Sequence, residues 1–213
     1  MGRVLFIQWK VDKGFRISIV SSGVEKHECH NLERTRNPQE RCYEQGDGDT
    51  DLAVLKLETW GRMWYIKDQA TVSWGNSASI PVPGDYDGDG DTDPAVYNDG
   101  TWYIKDQFVD TWGDSSSIPV PGDYDGDGDT DLAVYKVEPW GGMWYIKDQA
   151  AFVWGNSASI PVPGDYNGCG NIDIAVYNDG TWYIMNQFVD NWGDALSYPL
   201  PAPDTNGDGD PWH

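Results

Sequence analysis

Positive charge is scarce in this chain of 213 residues, in which 14 Lys and Arg face 35 Asp and Glu for a formal charge of -21. A surface of that sign repels phosphate backbones and anionic lipid, so nucleic-acid binding is not expected. No run of about 18 apolar residues is present, and no segment reads as a membrane span. At the start, Arg3 is followed by only six uncharged residues before Lys10, too few for the apolar core of an export signal. Three cysteines, Cys29, Cys42 and Cys169, do not make a disulfide framework. Cys29 and Cys42 could pair in an oxidising compartment, and two unremarkable thiols are the simpler reading. The three histidines, His27, His30 and His213, lie near the two ends of the chain. With no Gly-x-Ser-x-Gly, no His-Glu-x-x-His and no paired Cys/His spacing, the common catalytic constellations are missing and no enzyme is expected.

Aromatic and turn residues are abundant instead: 12 Trp, 12 Tyr, 25 Gly and 13 Pro. That mixture disfavours long helices, and the expected class is all-β. Charge is uneven. Residues 1–45 carry eight basic and six acidic side chains, whereas residues 46–213 carry six basic and 29 acidic. The chain therefore divides into an N-terminal segment, 1–44, of unassigned role and a repeat region, 45–213. Strands are plausible in the first segment at Val4 to Trp9 and Phe15 to Val20, with Glu33 to Arg41 as polar loop.

The repeat anchor is PVPGDYDGDGDTD, intact at Pro81 to Asp93 and Pro119 to Asp131 and altered at Pro161 to Asp173. Further copies end at Asp210 and, frayed, at Asp51. First loop positions fall at Tyr43, Asp85, Asp123, Asp165 and Asp204, with spacings of 42, 38, 42 and 39 residues. The alternation makes the true unit a pair of repeats, the product of a duplication. The divisions run at about 45–84, 85–122, 123–164, 165–203 and a partial 204–213. In the second copy the expected strands are Ser79 to Tyr86, Ala95 to Asn98, Trp102 to Asp106 and Phe108 to Trp112, with an Asp99-Gly100 hairpin turn. Four short strands in about 40 residues make one blade of a β-propeller, here four blades of four-stranded antiparallel sheet. Trp64, Trp102, Trp144 and Trp182, and in a second register Trp74, Trp112, Trp154 and Trp192, read as inter-blade core.

The loop D-Y-D-G-D-G-D-T-D between the first and second strands sets oxygen ligands at positions 1, 3, 5 and 9, a turn-forming glycine at 6 and a carbonyl at 7. Such a set suits Ca²⁺, a hard cation that takes six to eight oxygens. Carboxylates this close also repel one another without a cation. Two sets are complete: Asp85, Asp87, Asp89, Asp91 through its carbonyl and Asp93; and Asp123, Asp125, Asp127, Asp129 through its carbonyl and Asp131. The third, Asp165, Asn167, Asn171 and Asp173, carries Cys169 at position 5, a poor ligand for Ca²⁺. The last has Asp204, Asn206, Asp208 and Asp210 but Trp212 at the closing position, and the first keeps Asp47, Asp49 and Asp51.

The run IPVPGDYDGDGDTDLAVY, followed by GTWYI and WG, resembles the FG-GAP (VCBS-like) repeat of bacterial surface proteins, integrin α-subunit propellers and some fungal lectins. The resemblance covers about residues 45 to 210. It implies a calcium-stabilised propeller, an extracellular setting, and adhesion or recognition of a glycan or extracellular protein. The chain departs from it in having about four blades where seven are common, and residues 1–44 match nothing in the repeat.

Two features bear on partners. Trp60 and Trp140, in ETWGRMW and EPWGGMW, fall outside the strand register at the tips of the longer hairpins, suited either to stacking on a ligand or to capping their own blade. Glu58 and Glu138 beside them are the repeated carboxylates left over for acid–base work, too far apart in the repeats to share one site. The chain also begins with strands that lack a first strand and ends with a first strand, Ser197 to Asp204, that lacks a sheet. Its ends are complementary, within one chain or between chains. The expectation is a homo-oligomer in which Ser197 to Asp210 joins the Leu52 to Trp74 sheet of a neighbour, with Asp204, Asn206 and Asp208 meeting Asp51.

Overall fold

The computed structural model describes residues 53–59, 61–67 and 69–200. The N-terminal segment with Cys29 and Cys42, the frayed first loop, Trp60 and the last loop lie outside the described residues. Fifteen strands and no helix are found among them. They form four antiparallel sheets, the blades of a β-propeller. The first blade holds β1 (Ala53–Glu58), β2 (Gly61–Ile66) and β3 (Val72–Ser73). The second runs β4 (Ile80–Pro81), β5 (Ala95–Asn98), β6 (Thr101–Ile104), β7 (Val109–Thr111). The third runs β8 (Ile118–Pro119), β9 (Ala133–Glu138), β10 (Gly141–Ile146), β11 (Phe152–Val153). The fourth runs β12 (Ile160–Pro161), β13 (Ala175–Asn178), β14 (Thr181–Ile184), β15 (Val189–Asn191).

The first strands are much shorter than expected. Instead of Ser79 to Tyr86, only Ile80–Pro81 pairs with β5, through Ile80↔Tyr97 and Pro81↔Val96. Pro81 and Pro83 carry no N–H, so the ladder cannot run on, and a single bridge, Gly84↔Asp93, closes the neck of the acidic loop. The Asp99-Gly100 turn forms as expected, with φ of 52° and 86°. Both central residues are left-handed, as a two-residue hairpin turn requires. The four extra residues of the longer hairpins lengthen the strands rather than the loop. In the third blade Glu138 pairs with Gly141, and Pro139-Trp140 alone turn the chain.

Each blade buries one tryptophan completely or nearly so: Trp64, Trp102, Trp144 and Trp182. Their indole N–H groups donate to the carbonyls of Trp74, Trp112, Trp154 and Trp192 at 3.1, 2.9, 3.0 and 3.0 Å. The second set then reaches onward. Trp74, Trp112 and Trp154 donate to the carbonyls of Tyr103, Tyr145 and Tyr183 in the following blade at 3.0, 2.9 and 3.0 Å. Apolar clusters span the same junctions: Leu55 and Trp64 with Val96, Trp102 with Leu132 and Val134, Trp144 with Ile174 and Val176. Trp192 departs from the expected pattern. It is 74 % exposed, because no blade follows it among the described residues.

Candidate metal centre

The acidic loops connect β4 to β5, β8 to β9 and β12 to β13. In the second blade Asp85, Asp87 and Asp89 bring one carboxylate oxygen each within 4.8 Å of one another, and in the third Asp123, Asp125 and Asp131 do the same. Asp85 and Asp123 are buried, Asp131 is half-buried, and Asp87, Asp89 and Asp125 are exposed. Backbone amides hold the carboxylates in place. Asp85 Oδ2 accepts from Gly90 N at 3.0 Å, and Asp123 accepts from Gly126 and Gly128 N at 2.6 and 3.0 Å. Asp87 Oδ1 accepts from Asp89 N and Asp89 Oδ1 from Asp91 N, at 3.2 and 2.8 Å. Asp125 and Asp127 repeat this with Asp127 N and Asp129 N at 3.2 and 3.0 Å. The closing carboxylates Asp93 and Asp131 each accept from the amide after the first ligand, Tyr86 N and Tyr124 N, at 2.9 Å. The path therefore folds back on itself, with position 9 beside position 1.

Burial pushes the carboxyl of Asp131 up to about 6, and Asp125, Asp123 and Asp127 add to the shift. Asp93 is raised too, by burial and by Asp87 and Asp89, against the hydrogen bonds from Tyr86 and Gln107. Burial and four neighbouring aspartates likewise raise Asp129. A cation among these oxygens would reverse the sign of the local field. The donor set is all oxygen, convergent and negatively charged, which fits a hard metal ion.

In the third loop the residues arrange differently. Asn167 turns its amide nitrogen onto both oxygens of Asp173, at 3.1 and 3.2 Å, and its Oδ1 accepts from Cys169 N at 2.9 Å. Asp165 accepts from Gly170 N at 2.7 Å and Cys169 N at 3.2 Å, and the Cys169 thiol is exposed. A neutral donor thus meets the carboxylate that a cation would otherwise balance. Asp47, Asp49, Asp51, Asp204, Asn206, Asp208 and Asp210 are outside the described residues.

Sequence reasoning missed how the loops engage one another. Asp85 C=O accepts from Thr130 N at 2.6 Å, and Asp123 C=O accepts from Ile172 N at 2.7 Å. The second-blade loop therefore bonds to the third-blade loop, and the third-blade loop to the fourth. The position-7 side chain lies against the preceding loop, Asp129 beside Gly88 and Asn171 beside Gly126. Gly88 has φ +71° and no room for a Cβ against Asp129. The glycine recurring at position 4 of every loop was the available signal. Trp140, as expected, projects from its hairpin and is 67 % exposed. No protein-family model, curated protein or solved structure matches this chain.

Proposed function

We propose that the protein is a calcium-stabilised, non-catalytic binding module of the extracellular space that recognises a glycan or a protein through its hairpin tips. The observation that carries this reading is the repeated convergence of three carboxylates in loops already folded around them. The set is all oxygen and tolerant in geometry, which favours Ca²⁺ over the strictly octahedral Mg²⁺ and over metals that prefer sulfur or imidazole. The resemblance of these loops to FG-GAP repeats supports the extracellular setting.

Recognition falls to the other end of the blade. β9 begins just after the Asp123–Asp131 loop and ends at the Pro139-Trp140 turn, so the exposed indole stands one strand length, about 20 Å, from the metal loop. An exposed tryptophan on a rigid two-residue turn offers a flat apolar face at low entropic cost. The carboxylates near these tips do not resemble catalytic acids. Lys56 holds the Glu58 carboxyl below its ordinary range, the opposite of the rise that acid catalysis uses, and Glu138 lies 3.4 Å from Lys136. The test is a glycan array and a surface-protein panel probed in calcium with the native chain and with Trp140→Ala. Binding that the substitution reduces at least about tenfold supports the reading. Binding that is indifferent to both Trp140 and calcium overturns it.

A further inference from the structure

The two ends of the blade array are the separated halves of an interface that the chain already makes internally, and we infer that they join a second copy of this chain head to tail. The inference rests on blade packing and goes beyond the metal and recognition reading.

The junction between the second and third blades is the template. Trp112 N–H donates to Tyr145 C=O at 2.9 Å. Gly113 lies against Val134, and Ile118 and Pro119 pair with Tyr135 and Val134 as the first strand of the third blade. Lys136 forms an ion pair with Asp114 at 2.6 Å and Lys147 with Asp110. Moving the second-blade side 80 residues forward in the sequence gives Asp190, Trp192, Gly193, Asp194, Tyr198, Pro199 and Leu200. Moving the third-blade side 80 residues back gives Val54, Lys56, Tyr65 and Lys67. The aspartates and lysines of both ion pairs, the tryptophan, the glycine, the proline, Val54 and Tyr65 thus recur unchanged at the two ends in matching register, while Tyr198, Leu200 and Leu55 stand where the template has Ile118, Val120 and Tyr135.

Among the described residues, Val54 on the receiving half and Trp192 and Leu200 on the outgoing half are uncovered. Val54 is 49 % exposed, whereas its equivalents Val96, Val134 and Val176 are at most 2 % exposed. Leu200 is 55 % exposed, against at most 5 % for Val82, Val120 and Val162. Trp192, whose counterparts donate across a blade junction, is the most exposed tryptophan among the described residues. The outgoing end is nevertheless already shaped. Asp194 N donates to Ser197 Oγ at 3.1 Å, as Asp114 N does to Ser117 Oγ at 3.1 Å, so the turn that launches a first strand is formed before any sheet receives it. At the receiving end Lys56 holds Glu58, as Lys136 holds Glu138 in the template while also taking Asp114.

In the assembled junction Tyr198 and Pro199 pair with Leu55 and Val54, completing a four-stranded first blade. Trp192 donates to Tyr65 C=O, and Asp194 and Asp190 meet Lys56 and Lys67. The contact is heterologous, so it closes into a ring, of which two chains and eight blades is the smallest, or extends as a filament.

Sedimentation velocity and light scattering of the full chain in calcium test this. The expected particle is a multiple of 23.8 kDa. Val54→Asp and Leu200→Asp change exposed side chains and should leave the melting transition in place while each reduces the protein to monomer. Mixed in equal amounts they should form a two-chain species, because one retains a sound outgoing end and the other a sound receiving end. A native chain that stays at 23.8 kDa at every concentration overturns the inference, whether its own ends or residues 1–44 cover the two faces. A mixture of the variants that fails to pair overturns it as well.

Discussion

The loops depend on single residues whose backbone or side chain has no substitute. At Gly100, φ is +86° and an added Cβ would stand 2.7 Å from the Gly113 carbonyl. Gly100→Ala is therefore expected to cost at least about 1 kcal/mol and lower the melting temperature by a few degrees in calorimetry. Asp87 belongs to the Asp85–Asp89 carboxylate cluster, and Asp127 fixes the Asp129 amide in the other complete loop. Asp87→Ala and Asp127→Ala should each remove one calcium equivalent in isothermal titration. The acidic loops were legible in the sequence as an oxygen-bearing residue at every second position, and the structure brings three carboxylates of each complete loop together, Asp85, Asp87 and Asp89 in one and Asp123, Asp125 and Asp131 in the other. The release of the third loop from that pattern was only partly legible. Cys169 flagged it, but the Asn167 amide lying on Asp173 is a matter of rotamer.

At the scale of the element, a blade is a short sheet whose strands are too brief to stand alone, and the tryptophan relay supplies what the ladders do not. Trp112→Phe keeps an aromatic side chain but trims the indole and removes the donor to Tyr145, leaving a half-buried carbonyl with one partner fewer. A loss of about 1–2 kcal/mol is expected, read as a lowered denaturant midpoint with an unchanged slope. Tyr97→Phe, which removes the 2.7 Å hydrogen bond to Asp114 C=O, should cost about 1 kcal/mol by the same measure. The hairpins were read correctly from Asp-Gly and from the four-residue length difference. The first strands were overread, since alternating apolar residues suggested eight positions where two prolines permit two.

Across the whole molecule the acidic loops form a bonded series. Among the described residues the second, third and fourth sheets take their first strand from the end of the preceding sequence repeat, and the third- and fourth-blade loops each donate an amide to the loop before them. Calcium binding should therefore be coupled: Asp127→Ala is expected to weaken the intact Asp85–Asp93 site by about fivefold, besides abolishing its own. Chelation should lower the melting temperature by many degrees, since a ligand at a hundredfold excess over Kd adds about 2.7 kcal/mol per site and the repeat region carries 29 acidic residues against six basic ones. Coincident melting curves with calcium and with chelator would contradict both expectations.

Short-range chemistry was determined by the sequence alone. Ligand spacing, turn dipeptides and the period of the repeat each lie within a few dozen residues, and each has one cheap conformational solution. Only the tertiary structure decided what depends on neighbours distant in the chain. It placed Asp129 against the preceding loop, and it left Trp192, identical in register to three half-buried tryptophans, at an uncovered end. The physical reason is that burial belongs to a junction and not to a residue. A repeat states the face it offers, and the surface that meets that face is supplied by whatever blade comes next.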